Sequence, residues 1–187
     1  MEKTLSLAGV PSKAIQMIPG IIDTCRECRA WAQPKADIVP AVELVTTQND
    51  TIETDLMFYK GTACMNFVDV CDRFHASGTV PNREMNTLLE AIEVIWIAVL
   101  GQFKILIVDG ETSLNTKQAE DKLKAMGITL KPRAPHQHAR IVERRQAILR
   151  QAMHTAEEQL KSEGVVVTVK QLLAQCTFAG NALITYY

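Results

Sequence analysis

From residue 51 onward, apolar and polar positions alternate regularly. In "TIETDLMFY", Ile52, Thr54, Leu56 and Phe58 fall on one face of an extended chain and Asp55 on the other, which predicts a strand. "GTACMNFVDVCDRFHASGTV" follows, with a Gly-Thr turn and two more strand-like runs, so a three-stranded antiparallel meander is expected. The period then changes. In "PNREMNTLLEAIEVIWIAVLG", Met85, Leu88, Leu89, Ile92, Ile95 and Trp96 recur at helical spacing as far as Gly101. "FKILIVDG" is continuously apolar, as a central strand covered on both faces would be, and Asp109 stands at its carboxyl end. "NTKQAEDKLKAMG" reads as an amphipathic helix with Leu123 and Met126 inward, stopped by Gly127. "ITLKPRA" predicts a short strand. A long helix runs from about His138 to Glu163, and "TVKQLLAQCTFAGNAL" is a last helix.

The expected order is strand, strand, strand, helix, strand, helix, strand, long helix. That order gives an α/β protein with a mixed five-stranded sheet flanked by helices. Residues 1–33 are a separate first segment in which "PSKAIQMIPGIIDTCRECRAWA" predicts a short helix running before and through Cys25 and Cys28. Residues 34–50, with two prolines and a polar end, read as an extended linker making few hydrogen bonds of its own.

Composition narrows the function classes. The 187 residues are 47% hydrophobic and 22% charged, which suits an ordered globular chain. A net charge of −1 argues against non-specific coating of nucleic acid but leaves room for a local basic site. Five cysteines without regular spacing do not read as a secreted disulfide framework, so a reducing compartment, cytosol or nucleus, is expected. The longest apolar runs, "VIWIAVLG" and "ILIV", are far short of the roughly 20 residues a membrane span needs.

Three acids hold informative positions: Asp55 on the first strand, Asp109 at the end of the buried strand, and Glu143 in the first turns of the long helix. If the first and fourth strands are neighbours, Asp55 and Asp109 face one cleft and the long helix brings in Glu143. Converging carboxylates repel one another unless cations neutralise them, and hard divalent ions with oxygen ligands are the natural partners. Two such ions suit the attacking and leaving oxygens of a displacement at phosphorus. Each acid taken singly also reads as a solvated, capping or turn residue.

At this point the residues resemble a family. "ETDLMFYKG" is similar to the first-strand aspartate segment of retroviral and retrotransposon integrases, the D,D-E group with a ribonuclease H-like fold. "ILIVDGETSL" is similar to their second aspartate, at a strand end. "GITLKPRAPHQHARIVERRQAILRQAMHTA" resembles their third segment, in which a Gly-Ile strand leads to a Pro-and-Gln loop and a helix carrying Val-Glu-Arg, here Val142, Glu143 and Arg144. Ala139 and Arg140 stand where the family commonly has Asn-Gly.

The resemblance implies a catalytic core over residues 51–165, with residues 166–187 as a truncated C-terminal helix. It implies Asp55, Asp109 and Glu143 as catalytic residues and ligands of two Mg²⁺ (or Mn²⁺) ions. It also implies DNA, both element ends and target, as substrate, a homodimer or higher oligomer, and work in the nucleus or in the cytoplasm before nuclear entry. The activity implied is 3′-end processing and strand transfer. An inactive remnant that binds DNA or dimerises, and a ribonuclease H-like nuclease, remain as alternatives. Cys25 and Cys28 resemble the cysteine pair of the family's N-terminal zinc domain. No histidine precedes His75, so the pair is an incomplete zinc site, and residues 1–33 read as a remnant of that domain.

Lys131, Arg133, Arg140, Arg144, Arg145 and Arg150 crowd around Glu143. A charge run of this kind is ordinarily a solvated helix face. Next to the family's glutamate position, Lys131, Arg133, Arg140, Arg144 and Arg150 read instead as phosphate contacts for DNA. On the long helix, Ile141, Ile148, Leu149 and Ala152 are expected to face inward, with Arg140, Glu143 and Arg144 outward. His75, His136, His138 and His154 are scattered and are not expected to be ligands.

Overall fold

The computed structural model describes residues 2–26, 45–109, 113–133 and 140–183. The chain forms two compact units, Pro40–Ile148 and Met1–Val39 with Leu149–Tyr187.

The first of these units holds a five-stranded mixed sheet. Its strands are β1 (Thr51–Tyr59), β2 (Thr62–Asp69), β3 (His75–Val80), β4 (Ile105–Val108) and β5 (Thr129–Pro132), in the order β3-β2-β1-β4-β5. β1, β2 and β3 pair antiparallel as the expected meander, while β1–β4 and β4–β5 are parallel. The β1–β2 hairpin closes one residue earlier than the Gly-Thr turn expected. Tyr59 pairs with Thr62, and the two turn residues, Lys60 and Gly61, have φ of 48° and 77°. Two positive φ values make a type I′ turn, whose twist matches that of the strands it joins.

Parallel neighbours need crossovers, and helices supply them. Between β3 and β4 lies α3, which starts as an α-helix over Met85–Ala91. It widens to a π-helix over Ile92–Ile97 and closes with the turn Ala98–Leu100. Between β4 and β5 lies α4 (Lys117–Ala125). The Thr116 hydroxyl caps α4 by accepting from the Ala119 N–H at 3.2 Å. At its other end Gly127 takes φ 79°, and the Ile128 N–H reaches back to the Leu123 carbonyl at 2.8 Å.

The strands are covered on both faces, but differently. On one face Ile52, Met65, Phe67, Leu106 and Val108 join Leu88, Ile92 and Trp96 of α3, Leu123 of α4, and Leu114 in a single apolar core. β3 and α3 approach closely here. A Cβ added to Gly78 would lie 2.5 Å from Ile95 Cδ1. On the other face Val68 packs with Val142 and Ile141, which belong to the start of α5 (Arg140–Ser162). Phe58, on the same strand face as Ile52, is exposed near the hairpin with the Arg83 guanidinium 5.6 Å from its ring centre.

The second unit contains α1 (Glu2–Leu7), α2 (Ser12–Thr24), the later turns of α5, and α6 (Val169–Leu183). α2 stops at Thr24, and Cys25 is extended with φ −68° and ψ 119°. The expected helix is thus interrupted at Cys25, and Arg26 is helical again. Cys28 lies outside the described residues. Among the described residues, no helix is long and apolar enough to cross a membrane.

The described end of the expected linker makes more hydrogen bonds than a linker would. Asn49 Nδ2 donates to the Leu100 and Gln102 carbonyls at 2.9 and 3.2 Å, and Asn49 Oδ1 accepts from Trp96 Nε1 at 2.8 Å. Its backbone N–H donates to Asp69. One side chain thus ties the start of β1 to the end of α3 and satisfies the indole of the fully buried Trp96. Asn49 also holds φ 56°, which asparagine tolerates better than most residues. Asn49→Ala should therefore destabilise the protein by about 2–3 kcal/mol, chiefly by leaving buried polar groups unpaired. Urea unfolding measures it, and a change within about 0.5 kcal/mol would show that the network contributes nothing.

Candidate functional site

Strand alternation decides which β1 side chains meet α5. Ile52 lies in the apolar core, so Glu53 and Asp55 face the opposite side. Asp55 pairs in register with Asn66 of β2. Across the other edge of β1, Thr54 is the parallel partner of Val108. One residue further along these two strands stand Asp55 and Asp109. Glu143 sits in the first turn of α5 above them.

Asp55 feels the other two carboxylates. The Asp55 carboxyl has its pKa raised, first by burial and then by the negative charges of Asp109 and Glu143. The Leu56 N–H and the Gln146 side chain pull the other way without reversing the shift. Gln146 is buried, and its amide lies close enough to Asp55 to favour the anion, although Nε2 makes no well-aligned hydrogen bond. The three acids offer carboxylate oxygens, the donor type that hard divalent cations prefer. A cation there would remove the repulsion that raises Asp55. Among the described residues, no group of three or more His, Cys, Asp or Glu side chains is placed so that it could hold a metal ion, Asp55, Asp109 and Glu143 included.

The start of α5 is held by a residue absent from the sequence-based set. Glu53 is fully buried. Its Oε2 accepts from the backbone N–H groups of Ile141 and Val142, each at 3.1 Å. Its Oε1 pairs with the Arg133 guanidinium, just beyond β5. A side chain from the sheet thus does for α5 what an N-cap residue does locally, satisfying two of the amides a helix start leaves without intrahelical partners. Alternation along β1 already puts Glu53 on the face of Asp55, and that was the signal available for it.

The inward stripe of α5 also differs from expectation. Val142, Arg145, Gln146, Leu149 and Met153 are buried, whereas Ile141, Ile148 and Ala152 are half-buried. The apolar pattern misleads because two inward positions carry polar side chains that serve the polar face of the sheet. There His75 Nε2 lies 3.0 Å from Asn66 Oδ1, and Asn66 Nδ2 donates to the Cys64 carbonyl at 3.2 Å. Burial first, and then the Arg145 cation, push His75 down to about 3.

Of the basic residues expected to meet phosphate, Lys131, Arg144 and Arg150 are exposed, while Arg133 is drawn in to Glu53. The Arg140 side chain, His136 and His138 lie outside the described parts. Cys25 is half-exposed.

No family model matches this sequence, and neither does any curated protein. Solved structures do. The integrase of a simian T-cell lymphotropic virus intasome, solved with the PP2A regulatory subunit B56 gamma, superposes with a TM-score of 0.63 at 16% identity. The match covers 100% of this chain and 70% of that one. The catalytic core domain of BIV integrase superposes with a TM-score of 0.57 at 15% identity, covering 74% of this chain and 88% of that one. The fold is that of a retroviral integrase catalytic core. The ribonuclease H-like mixed sheet expected from the sequence is thus the one observed.

Within this integrase-type core, His75 gives a pH signature. Its folded pKa lies below the ordinary 6.5, so the unfolded chain binds the proton first. Its effect is nil above pH 6.5, and below that stability falls with pH until about 3, where the folded state also protonates. The loss attributable to it should approach roughly 5 kcal/mol at the acid end. His75→Gln, which cannot titrate, should lose correspondingly less stability between pH 6.5 and 4 in urea titrations. Parallel pH profiles for the two proteins would rule the assignment out.

Proposed function

We propose that the chain is a polynucleotidyl transferase core of the integrase type, which processes the 3′ ends of a retroelement's DNA and joins them to target DNA. The observation that carries this reading is the parallel pairing of β1 with β4 in an integrase-type sheet, which sets Asp55 beside Asp109, with Glu143 of α5 near enough for its charge to act on Asp55. Asp55, Asp109 and Glu143 would hold two Mg²⁺ (or Mn²⁺) ions. When bound, such ions supply an activated oxygen nucleophile and neutralise charge at the leaving oxygen.

The chain's own groups bind and orient. The Leu56 N–H and the Gln146 amide favour the anionic form of Asp55. Lys131 and Arg144 are exposed cations of the same unit and attract DNA phosphates, a role we also assign to Arg140 and Arg150. Arg133 acts through Glu53. By likeness to the simian viral protein, solved as an intasome, we assign DNA and further copies of this chain as partners, in a dimer or larger assembly acting in the nucleus.

One observation favours a second reading. The described residues form no ready metal cage, which suits a folded but inactive relative that binds DNA or dimerises. A strand-transfer assay on short duplexes separates the two. With Mg²⁺ present, joined product is expected, and Asp109→Asn or Glu143→Gln should each lower it by at least about a hundredfold. Product that survives both substitutions would sink the site assignment. Metal binding without product would identify the inactive relative, and nicking without joining a ribonuclease H-like nuclease.

A further inference from the structure

We infer that Glu53 is the positioning residue of the carboxylate site: its buried carboxylate fixes where α5 begins and so where Glu143 stands. The inference deepens the proposed function and rests on it for the identity of the ligand, but not for the geometry. Three observations carry it. Glu53 is fully buried on β1, two residues before Asp55 and on the same face. Its Oε2 accepts from both Ile141 and Val142 N–H groups, the amides immediately preceding Glu143. Its Oε1 pairs with Arg133, which follows β5 and lies at the other end of the segment that leads into α5.

One side chain therefore connects the strand that carries Asp55 to the helix that carries Glu143. The segment between Arg133 and Arg140 joins the two points that Glu53 grips. Whatever that segment does, its two ends are pinned to the same carboxylate. Glutamate is suited to this in a way that its neighbours in size are not. Glutamine keeps one acceptor oxygen but replaces the other with a donor, which cannot accept from Arg133 or from a helix amide. Aspartate keeps the charge but is one methylene shorter. Residues that orient metal ligands from behind typically matter by 10–100-fold, about the range expected here.

The test combines Mg²⁺ binding by calorimetry with amide hydrogen exchange at Ile141 and Val142. Glu53→Gln should weaken Mg²⁺ binding at least about tenfold and speed exchange at both amides. Exchange in β1 and β2 should stay unchanged. Glu53→Asp should fall between Glu53→Gln and the unsubstituted chain. In strand transfer, kcat per folded molecule, with the folded fraction measured by circular dichroism, should drop while the KM for DNA holds. If Glu53→Gln alone fails to fold because Arg133 is left buried without its partner, Glu53→Gln with Arg133→Gln removes both charges and supports the same measurements.

Unchanged protection at Ile141 and Val142 overturns the inference. So does lost protection with unaltered Mg²⁺ affinity. If the unsubstituted chain binds no Mg²⁺, the functional reading fails. The exchange measurement then decides by itself whether Glu53 fixes the start of α5.

Discussion

A carboxylate taken out of water is stable only if other groups replace its hydration, at a desolvation cost of several kcal/mol. Glu53 has those groups: the Arg133 guanidinium and two helix amides, with the positive end of the α5 dipole behind them. Each requires a separate element to be in place. β1 must hold Glu53 inward, β5 must deliver Arg133, and α5 must start at Arg140. None of these placements is stable without the others, because removing any one leaves a buried charge or helix amides without a partner. This mutual requirement turns a two-residue apolar contact between Val68 and Val142 into a defined docking of helix on sheet.

The division of labour between the two faces follows from this. The face under α3 and α4 is mainly apolar, from Ile52 and Phe67 to Trp96 and Leu123, and the hydrophobic effect is its main support. The α5 face carries Glu53, Asp55, Asn66 and His75, with Arg145 and Gln146 presented from the helix. Specific hydrogen bonds and charges hold it, and they fix angles and distances more narrowly than apolar packing does. A site that must bring three carboxylates together has reason to lie on that face.

The pattern of periods made most of the sheet legible. Three alternating or short apolar runs followed by a helix, a continuously apolar strand and a second helix leave few topologies. The parallel β1–β4 pair that brings Asp55 beside Asp109 was among the expectations. Asp109 stood out because it ends a run too apolar to be anything but central. The inward face of α5 was less legible. Hydrophobic spacing selected Ile141, Ile148 and Ala152, since the reading assumes that buried positions are apolar. Arg145 and Gln146 are buried because they serve buried partners, and a one-dimensional pattern does not contain those partners. Glu53 was hidden for the same reason. A glutamate in a strand reads as solvent-facing until the helix that caps it is known to lie above. The hydrogen bonds of Asn49 were missed because a loop asparagine gives no sign of the Trp96 indole it meets 47 residues later.

The electrostatics of the site point in one direction. Stability alone would leave Asp55 half-buried beside Asp109 and Glu143 only if something offset the cost, and the Leu56 and Gln146 contacts offset it in part. Two cations on this face act on other groups: half-buried Arg133 pairs with Glu53, and the charge of buried Arg145 acts on His75. Arg133 thus secures the frame around the carboxylates, while the charges of Asp109 and Glu143 add to the cost of ionising Asp55. Under the proposed function, a cation bound there would relieve the repulsion that Asp55 feels, and that relief would contribute to affinity for the ion.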